Sequence, residues 1–168
     1  MEQNYSEDAL IERPTIALFN KLKWETVNCF YETFGTNGTL GRETTNEVVL
    51  VRRLKAAIEK LNSGLPPEAV AQAIEELTRD RSVMSTAQAN REVYKLLKDG
   101  IKVTVQGREG DEESPERVRV IDWDEQANND FFLASQLWIS GEIYKRRADL
   151  IGFVNGLIYT AAPPPTIA

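Results

Sequence analysis

Apolar positions along this chain change their period at a few definite points, and those points mark its elements. Leu10, Ile11, Leu18 and Leu22 form a stripe at helical spacing, with Ser6 as a candidate N-cap and Glu7 and Asp8 in the first turn, where the helix dipole favours acids. Pro14 falls inside that stripe, so the helix either kinks there or restarts with Pro14 in its first turn. Glu25 to Phe30 then reads as a short strand, followed by a Gly, Thr and Asn loop from Gly35 to Thr45. From Glu47 to Asn62 the helical period returns through Val51, Leu54, Ile58 and Leu61, and Gly64 closes it. Pro66-Pro67 opens a further helix with Val70, Ile74 and Leu77 on one face, and another runs from Thr86 to Lys98 before Gly100.

After Gly100 the period falls to two. Ile101, Val103 and Val105 alternate with polar residues, as do Val118 and Val120, which predicts a hairpin-like pair with an exposed Gly-rich acidic connection, GREGDEESPE. FFLASQLWIS and ADLIGFVN are near-continuous apolar runs that suit strands covered on both faces. Asn155-Gly156 between apolar runs is a strong signal for a two-residue hairpin turn, because both positions take positive φ readily. The order predicts an α/β or α+β domain with a helical insertion in the middle third.

Composition narrows the chemistry more than the fold. A chain of 168 residues with 42% hydrophobic and 27% charged positions suits one globular domain. No run approaches the roughly 20 apolar residues that span a bilayer, and the first residues lack the pattern of a signal peptide, so a cytoplasmic protein without membrane contact is expected. Cys29 stands alone and there is no His, which excludes an internal disulfide and His-based triads. A net charge of −6 argues against coating nucleic acid through global charge, although Arg52-Arg53-Leu54-Lys55 and Lys145-Arg146-Arg147 are local basic clusters. Trp24, Trp123, Trp138 and Tyr144 read as core packing rather than a binding surface.

Asp149 opens an apolar run directly after two arginines. It reads either as a surface ion pair or as one carboxylate of a metal-dependent phosphodiester site. Mg²⁺ takes oxygen ligands, commonly one or two carboxylates, and a hairpin supplies such a site well: a second acid on the return arm lies across from the first, and a Lys two residues on shares its face. RRADLIGFVNGL resembles the RRPDxxxFxNGxPLxxxELK segment of the N-terminal nuclease domain of type I restriction enzyme R subunits, a PD-(D/E)XK nuclease. SEDALIERPTIALFNKLKWETVNCF resembles the opening helix and strand of that family, LLKDGIKV and VIDW its following strands, and NNDFFLASQLWI its Asn-x-Phe…Gln segment.

The resemblance implies a restriction-endonuclease-like core sheet flanked by helices over residues 1–157, with an atypical Pro-rich tail over 158–168. Asp149 then matches the first metal-binding Asp, Glu7 or Glu12 the acid on the first helix, and Gln136 a supporting group. Lys145, Arg146 and Arg147 become candidates for DNA phosphate contact. The second carboxylate and the Lys of the pattern fall fourteen and sixteen residues after Asp149, where this chain has Pro163 and Pro165. Weak or absent Mg²⁺ binding and no DNA cleavage by this chain alone are therefore expected. Double-stranded DNA and the modification and specificity subunits of a type I complex are the implied partners. ATP would enter only through motor domains, for which no Gly-x-x-x-x-Gly-Lys-[Ser/Thr] loop occurs here. A non-catalytic DNA-binding or subunit-docking module is the alternative, and TAAPPPTIA also has the look of a readthrough tail. If the return arm stops near Tyr159, the first arm loses a neighbour and exposes an edge, and the tail beyond about Ala161 is expected to be extended and mobile.

Overall fold

The computed structural model describes residues 11–106, 113–141 and 144–161. Its elements in chain order are α1 (Arg13–Lys21), β1 (Glu25–Asn28), α2 (Val51–Leu61), α3 (Pro67–Thr78) and α4 (Thr86–Asp99). Then come β2 (Ile101–Val105), β3 (Ser114–Val118), β4 (Phe131–Ser140), β5 (Lys145–Val154) and β6 (Leu157–Ala161). The chain divides into two compact units, one of Met1–Arg52 with Asp130–Ala168 and one of Arg53–Asn129. None of the described helices is long and apolar enough to cross a membrane.

The first unit is built on a mixed sheet in the order β1-β4-β5-β6, with β1 parallel to β4 and the other pairs antiparallel. Pro14 lies in the first turn of α1, where its missing N–H costs nothing; a helix before Ile11 that it would kink or restart lies outside the described residues. The predicted N-cap Ser6 lies outside the described residues. Trp24 packs edge-on against Phe19 at 4.8 Å and at a tilt against Phe131 at 5.1 Å, fastening α1 to the sheet. Cys29, Leu40, Leu50, Phe132, Ala134, Leu137, Ile151 and Phe153 form the core. The β5–β6 turn is the expected one, with Asn155 at φ 52° and Gly156 at φ 78°. The buried Asn155 Oδ1 also accepts from the Asp130 N–H at 2.7 Å, which fixes the turn to the start of β4.

Sequence periodicity misjudged several boundaries here. β1 ends at Asn28 rather than Phe30, because Asn28 Oδ1 accepts the Phe30 N–H at 2.9 Å and turns the chain. α2 starts at Val51 rather than Glu47, because Leu50 is buried in the sheet core and its N–H donates to the Gly156 carbonyl at 2.8 Å. β6 pairs past Tyr159 as far as Ala161, opposite Ile151, and the tail expected beyond it lies outside the described residues. A register shift leaves Tyr159 as the extra residue between Thr160, opposite Gly152, and Ile158, opposite Phe153.

The second unit carries the helical insertion between β1 and β4. Leu54, Ala57 and Ile58 of α2 and Ala69, Val70, Ala73 and Leu77 of α3 are buried, as are Ile101, Val103 and Val118 of the antiparallel β2–β3 pair. Ser85 and Gln88 close a capping box on α4. VIDW is not a strand, contrary to the family pattern: Asp122 Oδ1 accepts from the Asp124 and Glu125 N–H groups, and Asn128 Nδ2 donates to its Oδ2 at 2.9 Å. An Asx-type turn therefore takes over where the alternation of Val118 and Val120 suggested extension. Trp123 is 57% exposed in that turn, and Tyr144 is 69% exposed just before β5, so neither is the core residue that its neighbours suggested.

Candidate active site

The sheet of the first unit breaks its alternation at one level. In β4 the residues packed into the core are Phe132 and Ala134, then Leu137 and Ile139; in β5 they are Phe153 and Ile151, then Ala148. Uninterrupted alternation would have put Gln136 and Asp149 in phase with those core positions. Instead Gln136 takes φ 56°, and the pairing passes from Ser135 opposite Leu150 to Leu137 opposite Ala148. A left-handed residue other than glycine costs about 1–3 kcal/mol and persists only where its surroundings hold it. The break takes two polar side chains out of phase with the core at adjacent points of neighbouring strands.

A third polar group meets them there. Ile11 and Glu12 occupy a wide π-type turn just ahead of α1, a geometry frequent at functional sites. Glu12 is only 8% exposed, and Gln136 Nε2 donates to its Oε2 at 2.5 Å while reaching Asp149 Oδ1 at 3.5 Å. One side-chain amide thus spans two carboxylates. Of the candidate acids, Glu12 and Asp149 converge on Gln136, and Glu7 lies outside the described residues.

The basic residues line up at the start of β5. Lys145, Arg146 and Arg147 are exposed and stand opposite Ser140, Ile139 and Trp138. Lys145 Nζ sits 5.1 Å from the Trp138 ring, while Arg147 Cζ lies 5.8 Å from that ring and 5.4 Å from Phe30. Arg147, Glu12 and Gln136 share a cavity of about 660 Å³ with Asn28, Phe30 and Tyr31. Lys145 and Arg146 do not line it.

Sequence reasoning missed Asn28, Phe30 and Tyr31, and also a buried ion pair behind them. Arg42 and Glu32 are almost fully enclosed; Nε donates to Oε1 at 2.9 Å and Nη2 to Oε2 at 2.5 Å. Arg42 also donates to the carbonyls of Glu47 at 2.9 Å and Trp138 at 3.0 Å, which ties the long loop after β1 to β4. Pairing and extra hydrogen bonds are what make such buried charges tolerable. Burial pushes the neighbouring Cys29 thiol up to about 12, with the Glu32 charge adding to the rise and Arg42 opposing it.

The donor set suits a hard cation only in part. Among the described residues no group of three or more His, Cys, Asp or Glu could hold a metal ion. Glu12 and Asp149 are two carboxylates, within the number that Mg²⁺ commonly takes from a protein. In the second unit a larger cavity of about 840 Å³ mixes Glu75, Glu76 and Asp99 with Lys95, Lys102 and Arg117, so no single charge dominates it.

The family described as Type I restriction enzyme R protein N terminus matches residues 4–160. The chain is 35% identical over 153 residues to the Type I restriction enzyme HindI endonuclease subunit of Haemophilus influenzae (strain ATCC 51907 / DSM 11121 / KW20 / Rd). That alignment covers 88% of this chain and 14% of the relative, so the chain spans only a small part of the relative's length. A match over nearly every described element, including the strands that carry Gln136 and Asp149, establishes that this chain belongs to the family of type I restriction enzyme R protein N termini.

Proposed function

We propose that this chain is a PD-(D/E)XK-type nuclease domain that engages double-stranded DNA but lacks the groups to cut it alone. The carrying observation is the convergence of Glu12 and Asp149 on Gln136 at a break in strand alternation. Glu12 and Asp149 would hold Mg²⁺, which when bound supplies charge stabilisation at a scissile phosphate. Gln136 orients both carboxylates through one amide, and its left-handed backbone is the strain that the sheet bears to keep it there. Lys145, Arg146 and Arg147 offer positive charge to DNA phosphates along the start of β5.

The PD-(D/E)XK pattern also calls for a carboxylate and a Lys at the positions of Pro163 and Pro165, and neither proline can bind a cation or steady an attacking water. Two acids without those partners give weak metal binding. Action as an R-subunit segment beside modification and specificity subunits, with ATP-driven cleavage in the whole assembly, follows from the same reading. Titration with Mn²⁺ as a spectroscopic substitute for Mg²⁺, followed by electron paramagnetic resonance, tests the site. Weak binding lost in both Asp149→Asn and Glu12→Gln is expected; binding unchanged in both variants would remove these acids from the site.

A further inference from the structure

The aromatic pair at the mouth of the cavity lined by Glu12, Gln136 and Arg147 is unusual in how firmly it is held while remaining so exposed. Phe30 and Tyr31 are the two central residues of a turn closed by the Glu32 N–H on the Cys29 carbonyl at 3.1 Å. Asn28 braces the same turn through the Phe30 N–H. Both ends are sunk: Cys29 is fully buried and Glu32 is locked to Arg42, which in turn holds the Trp138 carbonyl. The tip nevertheless projects, with Phe30 41% and Tyr31 88% exposed and their rings edge to face at 4.7 Å. Single exposed aromatics are ordinary surface features, but two on a rigidly anchored turn, beside the exposed Arg147 with Lys145 on the same strand face, suit a polyanion with flat rings.

We propose that Tyr31, supported by Phe30 and Arg147, stacks an unpaired base of DNA whose backbone passes Lys145, which shares the Trp138 face of β5 with Arg147. This rests on the DNA reading above and adds the state of the DNA at the site. The cavity of about 660 Å³ is within the size range of small-ligand pockets, suited to one splayed nucleotide rather than a duplex. Arg147 lies over the Phe30 and Trp138 rings, which holds its positive charge beside the aromatic tip, within reach of a stacked nucleotide's phosphate. Bases stack on aromatic faces without regard to sequence, so the platform would favour distorted or single-stranded DNA at any site.

Fluorescence anisotropy in EDTA, with a fluorescein-labelled duplex carrying one looped-out adenine and its fully paired counterpart, tests the idea on the full chain. Tyr31→Ala should lower affinity for the looped-out duplex about fivefold or more and for the paired duplex less than twofold, with Tyr31→Phe close to the parent. Equal effects on both duplexes, or none on either, would overturn the stacking role while leaving DNA binding intact. Failure of the parent chain to bind either duplex at low salt would instead bring down the DNA reading itself, and the stacking role with it.

Discussion

Cys29 ties chemistry to stability at the scale of one residue. Its thiol is raised from the ordinary 9.0 to about 12, chiefly by burial, so the folded state favours the neutral form. A raised acid pKa contributes stability that is complete below the unfolded value and is lost as pH climbs from about 9 towards 12. Urea midpoints should therefore fall more between pH 8 and about 10.5 for the parent than for Cys29→Ala; equal slopes would mean that the thiol does not titrate with unfolding. Gln136 was legible as a polar residue in an apolar run, and its family counterpart as a Gln. Its conformation was half legible too: apolar positions 132 and 134 followed by 137 and 139, and 148 followed by 151 and 153, each carry a step of three where alternation requires two. That step was in the sequence, but a run read as covered on both faces hides it.

At the scale of elements, strong local signals were realised and contested boundaries were not. The Asn155-Gly156 turn, the capped α4 and the helix opened by Pro66-Pro67 were each specified within a few residues, and each formed as predicted. VIDW was turned by side-chain bonds that alternation does not register, donated to Asp122 by Asn128 and Asn129 six and seven residues on, and the start of α2 depended on a distant partner, Gly156. The loop from Cys29 to Leu50 gave no periodic signal, yet it is organised around Arg42, whose partners reach from Glu32 to Trp138. Removing one member of a buried ion pair leaves the other uncompensated, so Glu32→Ala should cost about 3–5 kcal/mol in equilibrium unfolding. Because the same pair anchors the Phe30–Tyr31 turn, that variant should also lose selectivity for the looped-out duplex; a cost below about 1 kcal/mol would show that the pair does not organise the loop.

For the whole molecule, the site and the charge balance have to be read together. A net charge of −6 leaves DNA contact to the local run Lys145-Arg146-Arg147, so binding should be weak and strongly salt-sensitive. The acids of the cluster come from the turn before α1 and from β5, far apart in sequence, and only the sheet brings Glu12 to Gln136 and Asp149. That convergence could not be read from spacing alone, which is why Glu7 and Glu12 stood as equal alternatives. The positions of the family's remaining carboxylate and Lys, in contrast, were legible at once as Pro163 and Pro165.

On the proposed reading this chain holds DNA through the basic residues at the start of β5, beside an acid cluster too incomplete to cut it. Supercoiled plasmid incubated with the chain and Mg²⁺ at low salt, then run on one agarose gel with and without protease treatment, reads binding and cleavage together. A retarded band that returns to the supercoiled position after protease, with no open circles, is expected. Open circles that disappear in Asp149→Ala would contradict that reading.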